Sequence, residues 1–216
     1  MKCLGLAPML TGLLRCVLPN QCVLCSAFDE GMLCDDCGGS LAFKLRPGPL
    51  LPYLDGVWVV LPYEGGLRTC LTRIKFDGLS PIATRLGIFF NNYLKQPPFL
   101  GVDLWTPVPL HEKRRKKRGF DPVETLFSPF IQAFGLPYEP ILERVKATPP
   151  LFDFNPNERA QLLETAFQVR PGLSVEGATI VLLDDILTTG TTLKTLAKCL
   201  KQAGAASVYG LCLSQG

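Results

Sequence analysis

The chain has 216 residues, 47% hydrophobic and 19% charged, which excludes a disordered polypeptide and allows a core that needs no disulfide staples. Its formal charge is +3, from 22 basic and 19 acidic residues, but six basic residues are consecutive, from Lys113 to Arg118. Without that run, 16 basic residues face 19 acidic ones, so the body is no general nucleic-acid coat and the excess points to one local anion site.

At the N-terminus, Leu4, Ala7, Leu10, Leu14 and Leu18 recur at helical spacing and predict an amphipathic helix. Arg15 interrupts the apolar stretch, which is too short to span a bilayer and is followed by no small-x-small cleavage pattern. A cytoplasmic protein is expected, and nine cysteines, an odd number, fit that better than a disulfide framework. Cys22-x-x-Cys25 and Cys34-x-x-Cys37 stand eight residues apart. Two close thiolate pairs can complete a tetrahedral shell around zinc, although the spacer is shorter than usual for a ribbon and a pair of disulfides is the alternative. Four cysteines leave no open coordination position, so the expected role is structural. Cys3, Cys16, Cys70, Cys199 and Cys212 read as small core residues.

Pro47, Pro49 and Pro52 mark a linker that divides the chain into residues 1–50, with the helix and ribbon, and a larger domain over 51–216. Val57 to Leu61 is a β-branched strand signal, and Ile82, Leu86, Phe89, Phe90 and Tyr93 form one helical stripe. Asp103 to Val108 reads as a short strand ended by Pro107 and Pro109. Trp58 and Trp105 fall on strand signals and are expected in the core. The basic run reads as a loop, with contact to pyrophosphate, contact to a nucleic-acid backbone, or plain solvation as its three readings. Arg118, beside Gly119 and Phe120, is the member expected to face a ligand. His111, the only histidine, is read as structural.

Val123, Leu126, Phe127, Phe130, Ile131 and Phe134 give a helical face that Gly135 is placed to stop. Residues 146–160, with Pro149, Pro150 and Asn155-Pro156, read as a long loop suited to a lid. Thr179 to Leu183 is an apolar strand. Leu193, Leu196, Ala197, Leu200 and Ala203 make a helix capped by Gly204, and Ser207 to Leu213 is a last strand. Strands alternating with helices predict an α/β fold with a parallel sheet covered on both faces.

The segment from Ile180 to Leu193 carries the chemistry. An apolar strand delivers Asp184 and Asp185 at its carboxyl end, and Thr188, Thr189, Gly190, Thr191 and Thr192 then open a helix. The first amides of a helix lack internal partners and sit at the positive end of its dipole, which suits phosphate. Gly190 admits close backbone approach, and the threonine hydroxyls are donors. The carboxylates would repel phosphate but accept hydrogen bonds from sugar hydroxyls, so the whole suits a ribose phosphate. The plain alternative is a polar turn with a threonine N-cap. Neither G-x-x-x-x-G-K-[ST] nor G-x-G-x-x-G occurs in the chain, which removes two rival nucleotide sites.

This segment resembles the phosphoribosyl-pyrophosphate motif of type I phosphoribosyltransferases. Together with the four cysteines, Lys75 in Ile-Lys-Phe-Asp-Gly, and Pro107-Val-Pro-Leu-His followed by Lys-Arg-Gly-Phe-Asp, it makes the whole chain similar to the ComF family (ComFC or GntX-like proteins). The resemblance implies a type I phosphoribosyltransferase-like sheet flanked by helices, with a small N-terminal zinc ribbon. It implies that Asp184 and Asp185 hold ribose hydroxyls and Thr188 to Thr192 the 5-phosphate, with Lys75, Arg118 and Arg159 also at the substrate. Arg159 would lie in a mobile cover over 146–160. The chain departs from the family pattern at Leu151 and Leu162, where glutamine and asparagine are usual. Magnesium would accompany phosphoribosyl pyrophosphate. Two functions follow: a phosphoribosyltransferase with an unidentified acceptor, or a competence-type DNA-uptake protein that binds single-stranded DNA, partners the competence machinery and uses the pocket as a sensor.

Overall fold

The computed structural model describes residues 20–145 and 166–216. The N-terminal helix expected over Leu4 to Leu18, Cys3, Cys16 and the expected cover with Leu151, Arg159 and Leu162 lie outside the described residues. In chain order the described elements are α1 (Asp35–Gly39), β1 (Arg46–Pro47), β2 (Gly56–Pro62), α2 (Gly65–Phe76), α3 (Ser80–Leu94), β3 (Leu104–Pro107) and α4 (Glu112–Arg118). They continue with α5 (Pro122–Phe134), β4 (Leu142–Arg144), β5 (Phe167–Val169), β6 (Thr179–Leu187), α6 (Thr191–Gln202) and β7 (Ser207–Gln215).

Five strands form one sheet in the order β1-β2-β7-β6-β3. The last four run parallel, with Val59 opposite Cys212, Leu182 opposite Gly210 and Thr106 opposite Leu182. The parallel core is as expected, but β1 joins antiparallel at the edge, so the sheet is mixed. Pro47 is tolerated there because an edge strand can spare an amide donor. A separate antiparallel ribbon pairs β4 with β5.

The sheet is apolar on both sides because helices cover both. Leu71 and Ile74 of α2, Leu86 and Phe90 of α3, and Leu126 and Phe130 of α5 pack with Trp105, Val181 and Leu183 on one face. Leu193, Leu196 and Leu200 of α6, with Leu142 and Phe167 of the ribbon, cover Val59, Ile180 and Leu182 on the other. Trp105, Cys70 and Cys212 are buried as expected, while Trp58 and Cys199 are half-buried.

Two local expectations are corrected. The basic run is helix α4, not a loop. His111 caps it by accepting from the Lys113 amide at 3.1 Å, Glu112 pairs with Lys116 one turn on at 2.7 Å, and Gly119 ends it in the left-handed region. Strand β6 also runs four residues beyond Leu183, so the two aspartates lie within the strand rather than after it. Among the described residues, no helix is long and apolar enough to cross a membrane.

Candidate functional site

The four knuckle cysteines converge: the sulfurs of Cys22, Cys25, Cys34 and Cys37 all lie within 4.8 Å of one another, and Cys25 and Cys34 are 3.6 Å apart. A zinc–thiolate tetrahedron has sulfur–sulfur edges of about 3.8 Å, so the donor set fits one metal ion of that kind. The local chain is bent to bring them together, with Ser26 at φ 63° and Met32 at φ 58°. Burial pushes the Cys22 thiol up, but amides of Cys34, Leu24 and Cys25 outweigh it and bring its pKa down to about 6. The neighbouring sulfurs of Cys25 and Cys34 push the Cys37 thiol the other way, so a cation among the four is needed for all of them to ionise. The ribbon is fastened to α3. Arg85 donates to the Leu33 carbonyl at 3.2 Å and to Asp35 at 2.6 Å, its guanidinium lies 5.4 Å above the Phe89 ring, and Cys22 and Leu33 enter the same apolar cluster as α2 and α3.

The second site is the turn from β6 into α6. Asp184, Thr188, Thr189, Gly190, Thr191 and Thr192 line one shallow pocket there. Gly190 is the N-cap of α6, with φ 72° and no side-chain cap. This counts against the plain N-cap reading of the threonines. The hydroxyls of Thr189 and Thr191 bond one another at 2.8 Å, and the Thr191 amide reaches Thr189 Oγ1 only at 3.5 Å. Thr188 and Thr189 are exposed, while Thr191 and Thr192 are half-buried.

The two aspartates do not share one environment. Successive strand residues point to opposite sides. Asp184 lines the threonine pocket, whereas Asp185 takes Lys75 from the end of α2, whose ammonium lies 2.9 Å from each carboxylate oxygen. Burial and the neighbouring charge of Asp185 push the Asp184 carboxyl up to about 8. A carboxyl so shifted keeps its proton at neutral pH, so Lys75 balances Asp185 alone, and a cation beside Asp184 would favour its ionised form.

Arg118 reaches this cluster from the end of α4, donating through Nε and an Nη to the Lys75 carbonyl at 3.2 and 2.9 Å. Burial lowers its pKa, and the carboxylate of Asp185 opposes that shift. Lys75, Arg118, Asp184 and Asp185 are therefore brought to one sheet end, but Lys75 pairs with Asp185 and Arg118 bonds the Lys75 carbonyl, and neither lines the threonine pocket. Sequence reasoning missed Ser214, a buried hydroxyl that donates to the Asp185 carbonyl at 3.0 Å, and Asp121, the buried N-cap of α5. Asp121 carries a visible signal, since an aspartate before Pro122 is a helix-start pattern. A further charged cavity, between the end of β3, α4 and the β4–β5 ribbon, is lined by Pro109, Arg115, Glu124, Glu143 and Arg170.

A family model described as a phosphoribosyl transferase domain matches residues 126–214, from α5 to β7. The "DNA utilization protein YhgH" of Salmonella typhimurium is 30% identical over 190 residues, 84% of this chain and 83% of the relative. The "Competence protein ComFC" of Streptococcus pneumoniae is 27% identical over 214 residues, 90% of this chain and 93% of the relative. Among solved structures, a hypoxanthine phosphoribosyltransferase of Staphylococcus aureus aligns at 16% identity over 62% of each chain, with a TM-score of 0.39.

Proposed function

This chain belongs to the ComF family of competence and DNA-utilization proteins, with a type I phosphoribosyltransferase-like domain, and from that premise we propose that it binds phosphoribosyl pyrophosphate and transfers ribose phosphate to an acceptor. The observation that carries this reading is the single pocket lined by Asp184 and Thr188 to Thr192 at a strand–helix junction. The amides at the head of α6 and the threonine hydroxyls donate to the 5-phosphate. Asp184, once ionised, accepts from the ribose hydroxyls. As the bond from the anomeric carbon to pyrophosphate breaks, the electron pair leaves with pyrophosphate and an acceptor lone pair forms the new bond. Lys75 and Arg118 supply positive charge for the leaving group, which calls for Lys75 to exchange Asp185 for the ligand. Positioning and electrostatics suffice, and no side-chain nucleophile is needed.

A divalent cation beside Asp184 would favour its ionised form over the protonated one. Magnesium, when bound, neutralises pyrophosphate oxygens while keeping several waters, so it needs no all-protein cage. Zinc is assigned to the four cysteines, with a structural role only. A cytoplasmic location accords with thiols kept reduced for metal binding.

A second reading is favoured by helix α4, whose Lys113, Arg114 and Lys117 are exposed. Binding of single-stranded DNA there, in concert with the competence machinery, would use the ribose-phosphate pocket as a sensor. Calorimetry with phosphoribosyl pyrophosphate and magnesium, with pyrophosphate release measured over a panel of acceptors, separates the readings. Heat and release support transfer, heat without release supports sensing, and no heat removes both pocket readings.

A further inference from the structure

We propose that Leu51 is a positioning residue of the phosphate turn: the segment over 48–55, upstream of β2, braces Gly190 from outside and presets the turn for a phosphoester. This rests on reading the turn as a phosphate cradle. A Cβ built on Gly190 would lie 2.5 Å from Cδ1 and 2.8 Å from Cδ2 of Leu51, so that side chain already fills the space behind the glycine. The brace is pinned at both ends. Upstream, the Gly48 amide donates to the Val57 carbonyl at 2.7 Å. Downstream, Asp55 exchanges two 2.8 Å bonds with Val208 and accepts from Lys201 at 2.9 Å. Between them the Leu54 amide donates to the Leu51 carbonyl at 3.2 Å and closes a turn.

The apolar contact continues into α6. Side chains of Leu54 and Leu193 both approach Gly210, at 3.4 and 3.3 Å from the position of its built Cβ. By contrast, the turn's own restraints are slight: Gly190 makes no side-chain cap, and the Thr189–Thr191 hydroxyl contact is exposed. Amides serve an anion best when their directions are fixed before it arrives. The fixing comes from behind, through Leu51. Pyrophosphate recognition, assigned to Lys75 and Arg118, does not depend on this contact.

The test is calorimetry with ribose 5-phosphate and, separately, pyrophosphate, on Leu51→Ala, Gly190→Ala and the double variant, with thermal melts run alongside. Leu51→Ala is expected to weaken ribose 5-phosphate about tenfold and leave pyrophosphate unchanged. Gly190→Ala should bind worse still, and the double variant should bind better than Gly190→Ala alone, because the clash partner has gone. Amide hydrogen exchange at residues 190–193 should quicken in Leu51→Ala. Unchanged affinity with unchanged exchange, equal weakening of both ligands, or strictly additive losses would overturn the proposal. If the unaltered protein ignores ribose 5-phosphate, the cradle reading fails, and exchange alone decides whether Leu51 braces the turn. Leu51→Val carries the same comparison if the alanine variant does not fold.

Discussion

The ribbon and the β6–α6 turn are both built from short, contiguous stretches, yet they are opposites in coordination. Cys22, Cys25, Cys34 and Cys37 face one another within 4.8 Å and enclose a centre with no place left for a substrate. The turn presents exposed and half-exposed hydroxyls, the amides of a helix start and a carboxyl whose proton is held up to about 8. A closed donor set yields stability, and an open one yields binding. The distinction supports a structural role for the first and the proposed ligand-binding role for the second.

The comparison breaks most easily through the ribbon. Cys34→Ser, or chelation, should release the metal and loosen a unit that shares its core with α2 and α3. A fall in melting temperature on the order of 10 °C, with loss of bound zinc, is expected. An unchanged melt would remove the structural assignment. Next comes Asp184→Asn, which should cost about 100-fold in affinity for phosphoribosyl pyrophosphate, roughly 2.7 kcal/mol, without lowering the melting temperature. A parallel loss of stability would make the carboxyl structural too. Lys75→Met strips Asp185 of its ammonium in a mostly buried pair and should destabilise the fold by about 2 kcal/mol in denaturant titration.

Proton linkage sharpens the contrast further. Folded Asp184 keeps its proton to about 8, whereas an unperturbed carboxyl releases it at 3.8. The folded state therefore binds more protons across that window, so this group's contribution to stability is present at low pH and is lost as pH rises toward 8. Affinity for ribose hydroxyls should move the other way, because an ionised carboxylate accepts through both oxygens and more strongly than a protonated one. Asp184→Asn should flatten both profiles. The smallest expected effect is electrostatic. If Lys113, Arg114 and Lys117 grip a single strand, log affinity should fall against log salt with a slope of about −2, and a flat response would end that reading.

Both sites were legible because their residues are contiguous in the chain. The spacing of four cysteines and the order strand, acidic pair, Thr-Gly loop, helix needed no tertiary knowledge. What escaped was assembled over distance. Lys75 stood out only through the family resemblance, and its pairing with Asp185, 110 residues away, left no local trace. Strands β4 and β5 have three residues each and pair across a wide gap, too little pattern for any period to register. Helix α2 was overlooked although Leu67, Cys70, Leu71 and Ile74 keep helical spacing, because Gly65 and Gly66 open it without a cap side chain. Helix α4 was hidden by its charge: like charges argue for a loop, and the Glu112–Lys116 pair, the His111 cap and the Arg115–Glu124 bridge reverse that.

The sheet's margins carry one more consequence. At one margin β1 is only two residues long and includes Pro47. At the other, the Trp105 amide and carbonyl are already engaged by Pro137 and Glu139, at 2.8 and 3.1 Å. Among the described residues, neither border of the five-stranded sheet offers a long bare ladder to a stranger's backbone, which disfavours edge-to-edge pairing there.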